Sequence, residues 1–529
     1  MRTATHLLDL LSRGAAVERQ VEFVSPRGSS LTSFPALWAL SSRAARAFET
    51  SVPVGRVAGI LTSSAEMIAC FVGALRAGRD FVSIPLPGRG QHPVAYARQL
   101  QAIATMSGAT TLVVEAAHAA TLAALPEPPS VPVSVAEALV VAAAGSTRDD
   151  AVPGELIQFS SGTTGTPKGV RLTGTAIGAS VNAILRALEI GDRPETFCGW
   201  VPLSHDMGLI GGLLATWAAS ARTPYRYVCM SPELFVTRPS SWMETCAARG
   251  ATITAAPTFA YQLASRYLAH AQPMDLSPLR AAIVGAEPIG VDTMEAFASA
   301  ASRHGLRETA PCPAYGLAEA TLAVSMVPPS ARWTSRAISV DGKTRPYVSC
   351  GPVLDCLDVT APGGSAEPGP ILISGPAVCS GFIPARESTG PGTWLDTKDL
   401  GLLVGGELLI TGRTDDLLCV AGRKLFAWEL EHAANSVRDV RTGNCIVVAD
   451  GGGCYLALFE PRSAAPDDLP AAVFEVRRAL AAVAGIGPSA VGCLPRGALP
   501  KTPSGKLRRR HVAENVERFV STCLAYRTF

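Results

Sequence analysis

The stretch Ser160-Ser161-Gly162-Thr163-Thr164-Gly165-Thr166-Pro167-Lys168-Gly169 decides the reading of this chain. It follows the apolar run Leu156-Ile157-Gln158-Phe159, which reads as a buried strand, and precedes Thr175–Leu188, which reads as a helix. Glycines let a backbone turn so that several N–H groups converge on one anion. Hydroxyls donate to phosphate oxygens, and the lysine adds charge. The loop is not a Walker motif, because Pro167 stands before the lysine where that motif needs glycine. A flexible surface turn is the plain alternative, and lysine usage argues against it. Of 46 basic residues, the lysines are Lys168, Lys343, Lys398, Lys424, Lys501 and Lys506; the rest are arginine. A lysine that survives this bias suggests a need for its compact, rotatable ammonium. Lys168 and Lys506 both sit in Gly-rich loops.

Around this loop, from about Arg56 to His304, short apolar runs alternate with helix-like stretches. Val57–Leu61, Phe81–Ile84, Thr111–Val114, Ala251–Thr254 and Ala281–Val284 read as strands, and Ala65–Ala77 as a helix. Such alternation argues for parallel sheets covered by helices. The Ala/Pro-rich segment Glu115–Gly154 reads as surface connection and peripheral helix. After Pro346, short strands such as Ile371–Ile373 and Leu408–Ile410 are separated by Gly and Pro, which suggests a smaller β-rich unit. Near Gly412-Arg413-Thr414-Asp415-Asp416 the texture changes again. Beyond it lie the strands Cys445–Val448 and Tyr455–Leu458 and a helix around Phe474–Val483. The expected architecture is α/β: an N-terminal domain of parallel sheets over 1–412, its β-rich subdomain at 345–412, and an α+β C-terminal domain at 413–529, which the resemblance given below implies is mobile.

Composition narrows the function. A net charge of +2 on 529 residues argues against a dedicated nucleic-acid binder. The 48% hydrophobic content is too high for disorder, yet no apolar run reaches the ~18 residues of a membrane span. Thirteen cysteines, an odd number without a Cys-x-x-Cys pair, make neither a disulfide framework nor a zinc site. The opening residues show no convincing signal or transit peptide, so a cytoplasmic enzyme is the expectation.

Ser160–Gly169 resembles the phosphate-binding loop of the adenylate-forming enzymes, which include acyl-CoA synthetases, carrier-loading adenylation domains, luciferases and fatty acyl-AMP ligases. Further motifs follow in family order. Trp200-Val201-Pro202-Leu203-Ser204-His205-Asp206-Met207-Gly208 is most similar to the fatty acyl-AMP ligase version. Val284-Gly285-Ala286-Glu287-Pro288 and Ala314-Tyr315-Gly316-Leu317-Ala318-Glu319-Ala320 resemble the adenine-binding segments. Asp396–Gly401, Thr411–Asp416 and Pro500–Lys506 complete the set.

The resemblance implies a residue-by-residue site. Ser161, Gly162, Thr163, Thr164, Gly165 and Lys168 would bind the phosphates of ATP. Gly285, Ala286, Glu287, Ala314, Gly316 and Leu317 would surround the adenine, with Tyr315 offering an aromatic face for stacking. Asp399 could accept both ribose hydroxyls and Arg413 could donate to the sugar or a phosphate. Glu319 and Thr163 would hold Mg²⁺, a hard cation that seeks oxygen ligands. Trp200, His205, Asp206, Gly208 and Gly285 would border the substrate pocket. His205 reads equally as a catalytic neighbour of that pocket and as a satisfied core histidine. Lys506 would stabilise charge that develops during attack on the α-phosphorus; its plain alternative is a basic tail segment with Arg508, Arg509 and Arg510.

The implied chemistry has two halves. A carboxylate attacks MgATP to give an acyl-adenylate and pyrophosphate, and a pantetheine thiol on an acyl carrier protein or coenzyme A then displaces AMP. Asp415 matches the hinge between the two poses, and Gly422-Arg423-Lys424 the segment that approaches during thiol transfer. Specialised or lipid metabolism is the implied setting. Three departures stand out. Lys398 replaces a usual glycine, Val284 replaces a commonly polar residue, and the segment between Glu319 and Cys350 is short for the inserted stretch of fatty acyl-AMP ligases. These keep other readings open: an acyl- or aryl-CoA ligase, a member adenylating a small aromatic acid, an amino acid or nitrite, and a nucleotide-binding pseudoenzyme scaffold.

Overall fold

The computed structural model describes residues 5–87, 91–125, 128–142, 152–160, 167–340, 343–362, 367–385, 392–420, 423–463, 469–502 and 505–529. Two sheets dominate the N-terminal part. One has seven strands in the order Gly381–Ile383, Lys168–Leu172, Leu156–Ser160, Phe81–Ile84, Arg56–Ile60, Ala109–Val114 and Val133–Val135. From Leu156–Ser160 outward every pairing is parallel. The other has eight strands: Ala323–Met326, Pro311–Gly316, Ala281–Gly285, Ile253–Pro257, Glu195–Gly199, Tyr225–Met230, Gln20–Ser25 and Gly28–Ser33. Its six inner strands are parallel and its two outermost pairings antiparallel.

The apolar runs become strands because both faces of each sheet are covered. Phe81–Ile84 is buried at every position, the pattern of a parallel strand under helices on both sides. The covering helices are fixed at their starts by side-chain caps. Ser64 Oγ accepts the Met67 N–H at 3.3 Å to open Ala65–Arg76, whose Met67, Ile68, Phe71, Val72 and Leu75 are all buried. That helix packs against Phe34–Thr50.

The expected strand, loop and helix around Ser160–Gly169 is corrected in one respect. The loop is closed by a second strand, Lys168–Leu172, antiparallel to Leu156–Ser160 with Ser160 opposite Lys168. The helix follows as expected, over Gly174–Ala187, capped by Thr173 Oγ1 at 3.1 Å from the Ala176 N–H. Val170 and Leu172 are buried while Arg171 between them is not, a two-residue period masked in the sequence by Pro167 and Gly169. Lys168 therefore stands at the root of a hairpin.

A six-stranded antiparallel sheet follows, ordered Ser335–Val340, Lys343–Pro352, Glu407–Arg413, Leu395–Val404, Gly369–Ser374 and Asp358–Thr360. Its first strand precedes Pro346, where the Gly/Pro texture begins. The chain then forms the hairpin Leu417–Val420 and Arg423–Phe426, the helix Ala427–Asn435, and a four-stranded sheet of Val440–Ala449, Tyr455–Pro461, Ala490–Cys493 and Ala525–Thr528. The helix Leu469–Ala484 covers that sheet, burying Val473, Val476 and Leu480 against Val447 and Phe459. All thirteen cysteines are free thiols. Among the described residues no helix is long and apolar enough to cross a membrane.

Candidate active site

The carboxyl ends of parallel strands form the crevice where α/β sheets bind ligands. Here Ala281–Gly285 and Pro311–Gly316 deliver Gly285, Ala286, Glu287, Ala314, Tyr315, Gly316 and Leu317 to one continuous cavity of about 1480 Å³. Lys168, Glu319, Asp399 and Arg413 also line it, and so do Asp415 and Lys506 from beyond the six-stranded sheet. Ser161, Gly162, Thr163, Thr164 and Gly165 lie outside the described residues, as does Gly422.

Three charged contacts organise the wall. Lys168 Nζ lies 2.6 Å from Glu319 Oε1, and its ammonium stands 4.1 Å above the Phe382 ring. Phe382 arrives because Gly381–Ile383 pairs with the Lys168–Leu172 strand. Asp399 faces Arg413 across the antiparallel strands. Its Oδ1 is 3.1 Å from Arg413 Nε, and its Oδ2 accepts the Tyr315 hydroxyl at 2.6 Å. Burial raises the Asp399 pKa against the opposing pull of Arg413 and Tyr315. Burial would lower that of Arg413, but Asp399 and Asp416 lift it above its ordinary value. Burial, with Asp399 beside it, likewise pushes the Tyr315 hydroxyl well up.

A second cluster lies where the tail meets the cavity. His205 Nδ1 is 2.6 Å from Asp206 Oδ1. The Met207 N–H donates to Asp206 Oδ1 at 2.7 Å. These residues open the π-helix Met207–Leu214, an irregularity often found at functional sites. Burial acts to raise the Asp206 pKa, but His205, with help from Lys506, brings it below the usual carboxylate range. Burial raises that of Glu287 despite a 3.0 Å bond from the Phe259 N–H and the fields of Lys506, Lys501 and His205. Lys506 lines the same cavity as these two carboxyls, and its charge acts on both. Its loop is seated by Gly505, where an added Cβ would fall 2.6 Å from the Phe259 ring.

Three sequence-derived positions fall elsewhere. Trp200 is 1% exposed and does not line the cavity. It stacks on Phe235 with centroids 3.6 Å apart, within a core that includes Trp242, Tyr261 and Val284. Gly208 also stays off the cavity wall and packs tightly. A Cβ there would meet the Val201 and Pro202 carbonyl oxygens at 2.4 Å. Val284 points into the core while its neighbours Ile283 and Gly285 line the cavity. The side-chain change there leaves the pocket wall untouched, because the strand alternates faces.

Lys398 has φ +64°, the left-handed region that explains a preference for glycine at this place. Its N–H and ammonium both return to Asp396, at 2.8 Å and 2.7 Å. Ala286, another cavity residue, also has φ +64°. Such backbone strain costs ~1 kcal/mol or more per residue and concentrates at ligand sites. Sequence reasoning missed Gln158 and Phe259. Gln158 Nε2 donates to the Ser204 carbonyl at 2.5 Å on the cavity wall. Neither residue lies in a motif or has a spacing that would single it out.

The sequence model of the AMP-binding enzyme family matches residues 13–383. The long-chain-fatty-acid–AMP ligase FadD26 of Mycobacterium tuberculosis is 29% identical over 519 residues, 88% of this chain and 87% of that protein. The solved structure from the study of fatty acyl-adenylate ligases of E. coli and L. pneumophila superposes with a TM-score of 0.85 at 24% identity, covering 97% of this chain and 98% of that one. McyG A-PCP complexed with phenylalanyl-adenylate gives a TM-score of 0.85 at 20% identity, over 98% and 84% of the two chains. With the family match spanning well over half of its length, the chain belongs to the AMP-binding enzyme family and is an AMP-forming ligase of the adenylate-forming class.

Proposed function

We propose that the enzyme adenylates an apolar carboxylic acid with ATP and passes the acyl group to a pantetheine thiol. The observation that carries this reading is the continuity of one cavity. It joins Lys506 to the Tyr315–Asp399 pair and the Lys168–Glu319 pair, and it extends along Ile184, Phe197, Ile283, Leu322 and Met326. A nucleotide fits the polar half, and an alkyl chain fits the apolar half. An amino acid is disfavoured, because the Asp206 carboxylate that could meet its ammonium is already engaged by His205 and the Met207 N–H.

In the first half-reaction a carboxylate oxygen attacks the α-phosphorus and pyrophosphate leaves. Lys506 stabilises the charge that builds on the attacking and equatorial oxygens. Asp399 releases Tyr315 or Arg413 to accept the ribose hydroxyls. Glu319 supplies the hard oxygen that suits Mg²⁺, an ion that typically takes one or two carboxylates together with substrate phosphates and would add neutralising charge there. The described residues hold no cluster of three or more such ligands, which is compatible with an ion held mainly by the nucleotide. In the second half-reaction the thiol sulfur attacks the acyl carbon, the thiol gives up its proton and AMP departs. The tail beyond Asp415 turns about that residue between the two steps, which also shields the mixed anhydride from water. A carrier-borne thiol is favoured by the fatty acyl-AMP ligase-like sequence and by the A-PCP arrangement of McyG.

Mass spectrometry of the enzyme incubated with ATP, Mg²⁺ and a panel of alkyl, aryl and amino acids tests this reading, with a holo carrier protein or coenzyme A added afterwards. Acyl-AMP from alkyl acids and acyl transfer to the carrier are expected. Adenylation confined to amino acids, or none at all, contradicts it.

A further inference from the structure

Three arginines follow the Lys506 segment, and the structure gives them different surroundings. All three border the cavity, but their partners differ. Arg510 pairs with Glu514 at 2.7 Å on the surface, with half of each side chain exposed. Arg509 turns inward, and its side chain is only 20% exposed. Its Nε and Nη2 donate to Glu431 Oε1 and Oε2 at 3.1 Å and 2.7 Å, a two-pronged match of guanidinium to carboxylate. Its Nη1 donates to Asp416. Glu431 Oε1 also accepts the Val447 N–H at 3.0 Å.

One guanidinium therefore joins two places, the helix Ala427–Asn435 that carries Glu431 and the turn Thr414–Asp416 where the tail begins, and through Glu431 the strand Val440–Ala449 is tied in as well. Asp416 is the immediate neighbour of Asp415. Any rotation about Asp415 reaches Lys506 only as far as the tail moves as one body, because the chain between them is long. Locally, the Lys506 loop is closed by short-range contacts: the Lys506 N–H donates to Thr502 Oγ1 at 3.0 Å, and Lys501 bridges Leu507. These shape the loop but do not tie it to the turn at Asp416. Arginine suits the tie because its five donors in a rigid fork span two carboxylates, which a lysine ammonium does not.

We propose that Arg509 is a positioning residue that sets where the Lys506 ammonium stands by locking its segment to the turn Thr414–Asp416. The inference rests on reading Lys506 as the lysine of acid adenylation. It assigns a task to the middle arginine of a run that otherwise reads as generic positive charge.

The test is acid-dependent pyrophosphate–ATP exchange with thermal melting on the full chain. Arg509→Ala alone would strand two carboxylates, so the informative variant is the neutral triple Asp416→Asn, Glu431→Gln, Arg509→Met. Arg509→Lys, which keeps the charge but spans one carboxylate, is the companion. The expected result is a melting temperature near that of the parent, exchange kcat reduced ~30-fold or more, and KM for ATP within ~3-fold, as for loss of an interaction made only in the transition state. Arg509→Lys should fall between. In a Lys506→Ala background the same substitutions should change exchange no further, because a residue acting through Lys506 has nothing left to position. Parental exchange in the neutral triple overturns the proposal, and so does an equal further drop in the Lys506→Ala background. If Lys506→Ala itself exchanges at the parental rate, the lysine reading fails first and this inference falls with it, a result distinct from either of the others.

Discussion

Lys168 Nζ rests 2.6 Å from Glu319 Oε1, so the cation expected to meet ATP phosphates is held by the carboxylate expected to meet their metal. Nucleotide and Mg²⁺ together would separate the pair, Lys168 exchanging the carboxylate for a phosphate and Glu319 the ammonium for the metal. Lys168→Ala should raise KM for ATP ~10-fold or more with a smaller effect on kcat. Glu319→Gln should shift the Mg²⁺ concentration needed for half-maximal exchange upward. An unchanged Mg²⁺ titration for Glu319→Gln would show that this carboxylate serves another purpose. Charge-assisted contacts of this kind contribute roughly 1.5–3 kcal/mol, enough for changes of this size.

Trp200 separates two meanings of a motif. It is buried on Phe235 and away from the cavity. Trp200→Ala is therefore expected to lower stability by ~3–5 kcal/mol, the usual cost of deleting a large buried aromatic. Trp200→Phe should retain adenylation with KM for the acid near that of the parent. Chemical denaturation and acid titrations check the pair. A selective rise in KM for the acid without loss of stability would return Trp200 to the pocket.

Gly211 lines the cavity from the π-helix, and a Cβ there would fall 2.9 Å from Leu322 Cδ2. Gly211→Leu should narrow the apolar chamber. Long-chain acids should lose kcat/KM ~10-fold or more while short acids are spared, since overpacking a filled space costs about 1–3 kcal/mol. A panel of acids graded in length measures this. A uniform loss across all lengths would place the alkyl chain elsewhere.

Glu287 gives a signed pH dependence. Burial raises its carboxyl pKa in the folded protein, so the folded state holds that proton more tightly than the unfolded chain. Its contribution to stability is complete below the unfolded carboxylate's range and is lost as pH rises through the folded pKa. Glu287→Gln removes the titration while keeping an acceptor for the Phe259 N–H. The substituted protein should melt above the parent at pH 7.5, and the gap should close as the pH falls through the carboxylate range. A gap that does not vary with pH would assign the effect to packing.

Much of this site was legible in the sequence, and particular residues show why. The apolar runs around Val57, Phe81 and Ala281 became parallel strands because covered sheets impose no alternation that could be misread. The motif residues Tyr315 and Glu319, Asp399, and Lys506 come from three segments far apart in the chain yet border one cavity. Side-chain direction was not legible. Nothing in Trp200-Val201-Pro202 or Val284-Gly285 says which face a residue takes, and Trp200 and Val284 turned inward. The strand Lys168–Leu172 was hidden by Pro167 and Gly169. Arg509 could not be told from Arg508 and Arg510 by composition, since only the approach of Glu431 and Asp416 distinguishes it.

The most direct test of acid adenylation at this cavity is pyrophosphate–ATP exchange by the parent and Lys506→Ala across a panel of alkyl acids. The parent should exchange only when an acid is present, and Lys506→Ala should lose ~10²–10³-fold in kcat, as when one preorganised donor to a transition-state charge is removed. Exchange that ignores the acid, or that proceeds at the parental rate without the Lys506 ammonium, would contradict it.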